Sequence, residues 1–145
     1  MELAIGIALL MLLAAQISLS TNLYQQTPKR EAEKLAKKLY SLMLKADKTK
    51  THFQIKIYTD KMSVQWNTNE TSIMTQEDRN IFTEDFPASS GCTYKWNASN
   101  EVIYYSYITN KFSQGSTITI SGEGDPYYVV IATIGSRVRV TDTKP

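Results

Sequence analysis

Few side chains in this sequence could do chemistry, and most of them stand alone. His52 is the single histidine and Cys92 the single cysteine, forty residues apart. A Cys–His nucleophile pair would need the fold to bring them together with an orienting group, and no signature surrounds either one. A zinc site needs three or four closely spaced ligands, and none cluster. Glu77-Asp78 and Glu84-Asp85 are adjacent carboxylates of a type that can ligate calcium, although exposed acidic loops more commonly serve solubility. Gly122-Glu-Gly lies between two strand-like runs and opens no helix, so it makes no phosphate cradle. Asn69-Glu-Thr and Asn97-Ala-Ser are glycosylation sequons that matter only in a eukaryotic secretory pathway. No catalytic residue, cofactor or metal is expected, and the chain is not read as an enzyme. Two features remain. Arg137 and Arg139 alternate along a strand-like run, so both guanidinium groups share one face and could meet adjacent phosphates of a nucleic acid. The competing reading is an edge strand that carries charge against aggregation. Glu2 is the one charged residue among the first 28.

The elements that position these residues differ in composition. Residues 1–28 have net charge −1; residues 29–61 carry ten Lys/Arg against four Asp/Glu, net +6; residues 62–145 carry six against nine, net −3. The near-neutral total of +2 over 145 residues hides an apolar head, a basic neck and a mildly acidic body. Low Gly, Pro and Cys counts exclude collagen-like, disulfide-stapled and wholly disordered chains. Leu3 to Leu23 is uncharged and mostly apolar, long enough for a membrane helix. A cleaved secretory signal is the alternative, with a mature chain starting near Thr21. Leu35, Leu39, Leu42 and Ala46 recur at helical spacing, with Ala32, Ala36, Tyr40 and Met43 as the adjoining stripe and lysines elsewhere. Glu31 and Asp47 are expected to compensate part of that lysine charge locally. Pro28 either kinks one long helix or starts a second one.

Beyond Lys50 the apolar period changes to two. Phe53–Ile57 and Met62–Trp66 flank the turn Thr59-Asp60-Lys61 as a hairpin. Residues 67–92 read as irregular, anchored by Phe82, Phe86 and Pro87. Further strands are expected at Thr93–Trp96, Val102–Tyr107, Ser116–Ser121, Tyr127–Thr133 and Arg137–Thr141, about seven in all. No helix-length crossover separates them. The fold class is therefore α+β, a long N-terminal helix packed on an antiparallel β-sheet. Its divisions are a membrane helix over 1–24, an amphipathic helix over 25–50 and a β domain over 51–145.

These parts resemble the N-terminal stalk of type IV pilins and type II secretion pseudopilins. Glu2-Leu-Ala-Ile is similar to the family motif from its glutamate onward. The run from Glu33 to Ala46, then Thr51–Ile57, Met62–Trp66, Gly115–Ile120, Tyr127–Ile131 and Gly135–Val140, resembles the GspH/FimT branch of minor pseudopilins. The resemblance implies a pilin-like structural subunit of a secretion pseudopilus or a type IV pilus. It implies assembly with other pilin or pseudopilin subunits through the N-terminal helix, which makes 1–24 the assembly helix and 25–50 the stalk, with Glu2 matched to a partner's terminal amine. It further implies a single pass through the bacterial inner membrane, a body in the periplasm, and loops 67–92 and 108–115 offered to subunits or secreted cargo. FimT-like members linked to DNA uptake make DNA a rival partner through Arg137 and Arg139, and a secreted adhesin-like β domain is a third reading. Met1 directly precedes Glu2, so the family's leader and its processing site are not among these residues and an upstream leader is expected. Lys29, Arg30, Lys34, Lys37 and Lys38 follow the span, which by the positive-inside rule alone would keep the body in the cytoplasm.

Overall fold

The computed structural model describes residues 4–13, 27–67, 81–135 and 137–145. Residues 4–13 form a helix, α1, every one of them exposed. The second helix, α2, spans Pro28–Thr49. Thr27 is extended (φ −69°, ψ 152°) and its hydroxyl accepts from the Arg30 N–H at 3.5 Å, so it caps a new helix. A single continuous rod through this point is thereby excluded, and Pro28 sits in the first turn, where its missing N–H costs nothing. At the other end Lys50 turns left-handed (φ 56°) and returns its N–H to the Ala46 carbonyl.

Nine strands follow among the described residues: β1 (His52–Ile57), β2 (Lys61–Asn67), β3 (Ile81–Pro87), β4 (Thr93–Asn97), β5 (Ile103–Ser106), β6 (Lys111–Phe112), β7 (Ser116–Ser121), β8 (Tyr127–Ile131) and β9 (Val138–Thr141). They make two antiparallel sheets, in the orders β3-β2-β1-β5-β6 and β4-β7-β8-β9. The expected hairpin is present, with Phe53 opposite Trp66, Ile55 opposite Val64 and Ile57 opposite Met62. Alternation places all six of those side chains inside.

Four expectations need correction. Residues 81–87 are not irregular: β3 pairs with β2 over seven positions, and β6 inside the supposed loop 108–115 pairs with β5. Phe82 is 59% exposed and anchors nothing. β3 is an edge strand with a solvated face, and Glu84 and Asp85 on it answer Lys45 (3.1 Å) and Lys61 (2.6 Å), so its sequence carries little apolar alternation. Tyr40 is also 44% exposed despite its place in the second stripe; its hydroxyl donates to the Val138 carbonyl at 2.9 Å on the edge strand β9.

The buried face of α2 comprises Ala32, Leu35, Ala36, Leu39, Leu42, Met43 and Ala46 and packs on β7, β8 and β9. The same apolar cluster continues into the five-stranded sheet, where the Phe53 ring lies 5.1 Å from both Trp66 and Tyr105 and 6.2 Å from Phe112. Tyr105 carries its hydroxyl to Asp47 at 3.0 Å, so the last turns of α2 are tied to the five-stranded sheet as well. Burial, together with the Asp47 carboxylate, pushes that phenol up to about 12. Leu39 is fully buried at the centre of the helix face. Leu39→Ala should cost about 2–5 kcal/mol, measured by urea unfolding, whereas Leu44→Ala, 69% exposed on the opposite side, should cost under about 0.5 kcal/mol.

Candidate functional site

The first turns of α2 meet the loop between β3 and β4. Pro87 ends β3 and four backbone bonds then fix the chain: Ala88 N–H to Asp60 O (2.8 Å), Cys92 N–H to Ser89 O (3.0 Å), Tyr94 N–H to Thr59 O (2.9 Å) and, on the helix, Glu31 N–H to Thr27 O (3.1 Å). Gly91 (φ 84°) makes the turn. Gly122, from the β7–β8 turn, packs so closely that a Cβ there would lie 2.8 Å from the Gly91 carbonyl oxygen and 3.4 Å from Cys92 Sγ.

Glu31 is the pin of this junction. Its side chain is wholly inaccessible. Oε1 accepts from the Ser89 N–H at 3.1 Å and from the Tyr94 hydroxyl. Oε2 makes no hydrogen bond but faces Lys34 Nζ at 3.6 Å, and the same ammonium donates to Ser89 Oγ at 2.9 Å. Burial alone would raise the Glu31 pKa; the bonds from Ser89 and Tyr94 and the charge of Lys34 outweigh it, and the net shift is downward from 4.5. Burial pushes the Tyr94 phenol and the Cys92 thiol upward, and Glu31 reinforces both. A cysteine so placed is a poor nucleophile. Sequence reasoning treated Glu31 as a surface partner of Lys34 and missed its burial. The available signal was its register: Glu31, Leu35, Leu39 and Leu42 fall on one helical stripe.

Beside this pin a groove of about 360 Å³ runs along α2. Lys34, Lys37, Lys38 and Ser41 line it from the helix, and Phe86, Pro87 and Tyr94 form the facing wall. Lys38 Nζ sits 4.1 Å above the Phe86 ring. Such a groove places lysine side chains and the Ser41 hydroxyl beside an apolar wall.

The residues singled out by sequence do not converge. Glu2 lies outside the described residues, as do Glu77 and Asp78. Arg139 is exposed on β9, and Arg137 is exposed in the turn before it, its Nε 3.7 Å from where a Cβ on Gly135 would be. His52 stacks on Tyr107 with ring centroids 4.7 Å apart, whereas Cys92 belongs to the Glu31 junction. Among the described residues no group of three His, Cys, Asp or Glu could hold a metal ion. Asp47 bonds Tyr105 and is not ion-paired to the lysines around it, contrary to expectation. Among the described residues no helix is long and apolar enough to cross a membrane.

The whole arrangement is similar to a solved structure, that of the minor pseudopilin EpsH from the Type 2 Secretion System of Vibrio cholerae. The TM-score is 0.58 at 13% identity, and the alignment covers 80% of this chain and 97% of that one. The fold is pseudopilin-like. No family model matches the chain, and no curated protein matches it. At this identity the shared property is the fold, an N-terminal stalk helix laid on antiparallel sheets.

The Glu31 pin has a pH signature. Because its folded pKa is depressed, its contribution is present above the unfolded value of 4.5 and is lost as pH falls through the lower folded value. Glu31→Ala should cost about 2–4 kcal/mol at neutral pH by leaving the Tyr94 hydroxyl and Ser89 N–H without their acceptor. Glu31→Gln should flatten the fall in urea midpoint below pH 4.5, checked by unfolding across pH 2.5–7.

Proposed function

We propose that this chain is a minor-pseudopilin-type structural subunit that assembles through its N-terminal helix. The observation that carries this reading is α1: Ile5, Ile7, Leu9, Leu10, Met11, Leu12 and Leu13 are all between 49% and 70% exposed, on a chain whose body has a pseudopilin-like fold. Seven large apolar side chains within nine residues are not left in water; such a surface belongs against lipid or other apolar helices. In this reading residues 1–24 anchor the chain by a single pass in a bacterial inner membrane, with the body on the periplasmic side. The anchor then packs helix on helix with other pilin or pseudopilin subunits at the tip of a short fibre. The GspH/FimT resemblance supports the minor class in particular. The role is structural: the body supplies a rigid end on which partner subunits or cargo can rest.

Glu2 is the one charge in the anchor. An unpaired carboxylate in hydrocarbon costs about 2.5–3.5 kcal/mol, and a neighbouring subunit's terminal ammonium removes that cost. Glu2→Leu should therefore leave the chain in the membrane fraction while lowering its cross-linking to partner subunits at least about tenfold, with secretion or piliation falling in parallel. Unchanged cross-linking and function in Glu2→Leu would remove this role from Glu2.

A further inference from the structure

We propose that the groove between α2 and the end of β3 holds the headgroup of an anionic phospholipid from the bilayer in which the N-terminal helix is anchored. The inference rests on the anchored reading above and adds a ligand to the neck. Its first support is unmatched charge. Lys37 and Lys38 line the groove beside Lys34, whose ammonium is already held by Glu31 and Ser89, and the other carboxylates on the facing wall are committed elsewhere. Glu31 is buried against Ser89 and Tyr94, Glu84 is paired with Lys45, and Asp85 is paired with Lys61. Glu33, one turn before Lys37, makes no ion pair within 4.0 Å among the described residues. Glu123 and Asp125 are exposed on the β7–β8 turn, which packs on Pro28 and not on the Phe86 wall.

The second support is the amphipathic lining. Phosphate needs charge-assisted donors, which the Lys37 and Lys38 ammonium groups and the Ser41 hydroxyl provide. Leu35, Phe86 and Pro87 give the glycerol and the first acyl carbons an apolar wall, and a volume of about 360 Å³ suits a headgroup. Lys38 already lies against Phe86 with its ammonium 4.1 Å above the ring, so the charge is held at the wall of the groove.

The third support is position along the chain. Lys29, Arg30, Lys34, Lys37 and Lys38 all fall within fifteen residues of Leu23, the end of the apolar head. Basic clusters on the cytoplasmic side of a span bind anionic leaflet lipids, and anionic phospholipid on the body's side attracts these lysines by the same electrostatics. An acidic segment of a partner protein would satisfy the charge, but it would not account for cations placed directly after an apolar anchor. Lipid phosphates on the body's side thus give the +6 neck a partner in the leaflet where the positive-inside rule leaves it without one.

The full chain, reconstituted into vesicles of phosphatidylcholine alone or of two parts phosphatidylcholine to one part phosphatidylglycerol, tests this by amine acetylation read by mass spectrometry. Lys37 and Lys38 should react about fivefold more slowly in the anionic vesicles, with Lys95, Lys111 and Lys144 unchanged. The protection should vanish at about 1 M salt, where the screening length is about 3 Å. In the Lys37→Gln/Lys38→Gln variant the chain should still float with both vesicles, but Lys34 should react at one rate in the two. Equal rates for Lys37 and Lys38 in a chain that floats with both vesicles would overturn the inference and leave the anchored reading standing. Protection by inorganic phosphate in phosphatidylcholine vesicles would assign the groove to a free ion, and protection by soluble oligoglutamate but not by phosphatidylglycerol would assign it to an acidic protein segment; either overturns the lipid. A chain that floats with neither vesicle overturns both readings.

Discussion

Ala32, Leu35, Ala36, Leu39, Leu42, Met43 and Ala46 form one face of α2, and that face is the inner wall against which the four-stranded sheet closes. A buried leucine of this kind contributes roughly 1.5–3 kcal/mol, so the helix cannot leave without taking much of the core with it. Its two flanks then do different work. On the side of β3 and β4, Glu31, Lys34, Lys38 and Lys45 reach Ser89, Tyr94, Phe86, Glu84 and Trp66. On the side of β9, the Tyr40 hydroxyl reaches Val138. The buried carboxylate of Glu31 is tolerated because an amide, a phenol and an ammonium meet it, and it fixes where the helix begins relative to the sheets.

Thr27 is extended and α2 begins at Pro28, so the N-terminal segment joins the body at this junction. The Glu31 pin, the Gly122 contact and the bound loop 88–92 hold that junction, which in the proposed reading joins the assembly helix to the body. The charge partition runs along the same line: an apolar segment, a basic neck beside it, and a body whose acidic residues on β3 are spent on lysines of α2 and β2.

What the sequence made legible was periodic. The leucine spacing of α2 and the alternation in β1, β2, β7 and β8 survive as written, because each has one face toward the core and one toward water. β3 and β6 were not legible: an edge strand with Thr83, Glu84 and Asp85 in its middle has no apolar alternation to read, and two residues are too few for any period. Tyr40 sat in a core stripe by spacing yet solves a different problem, satisfying a carbonyl on an edge strand. Glu31 was misread because a charge in sequence implies solvent until its partners, fifty-eight and sixty-three residues away, are known. The lysine groove was invisible for the same reason, since its opposite wall comes from Phe86 and Pro87 on a strand that sequence did not reveal. The pseudopilin resemblance, built from the order of elements, agrees with the fold that the structure shares with EpsH.

Membrane fractionation of the full chain, followed by N-terminal sequencing of the mature protein, tests the central claim of an anchored subunit most directly. The expected result is a protein released from membranes by detergent but not by high salt or carbonate, with residues 2–23 retained. A soluble mature protein whose first residue lies near Thr21 would contradict it.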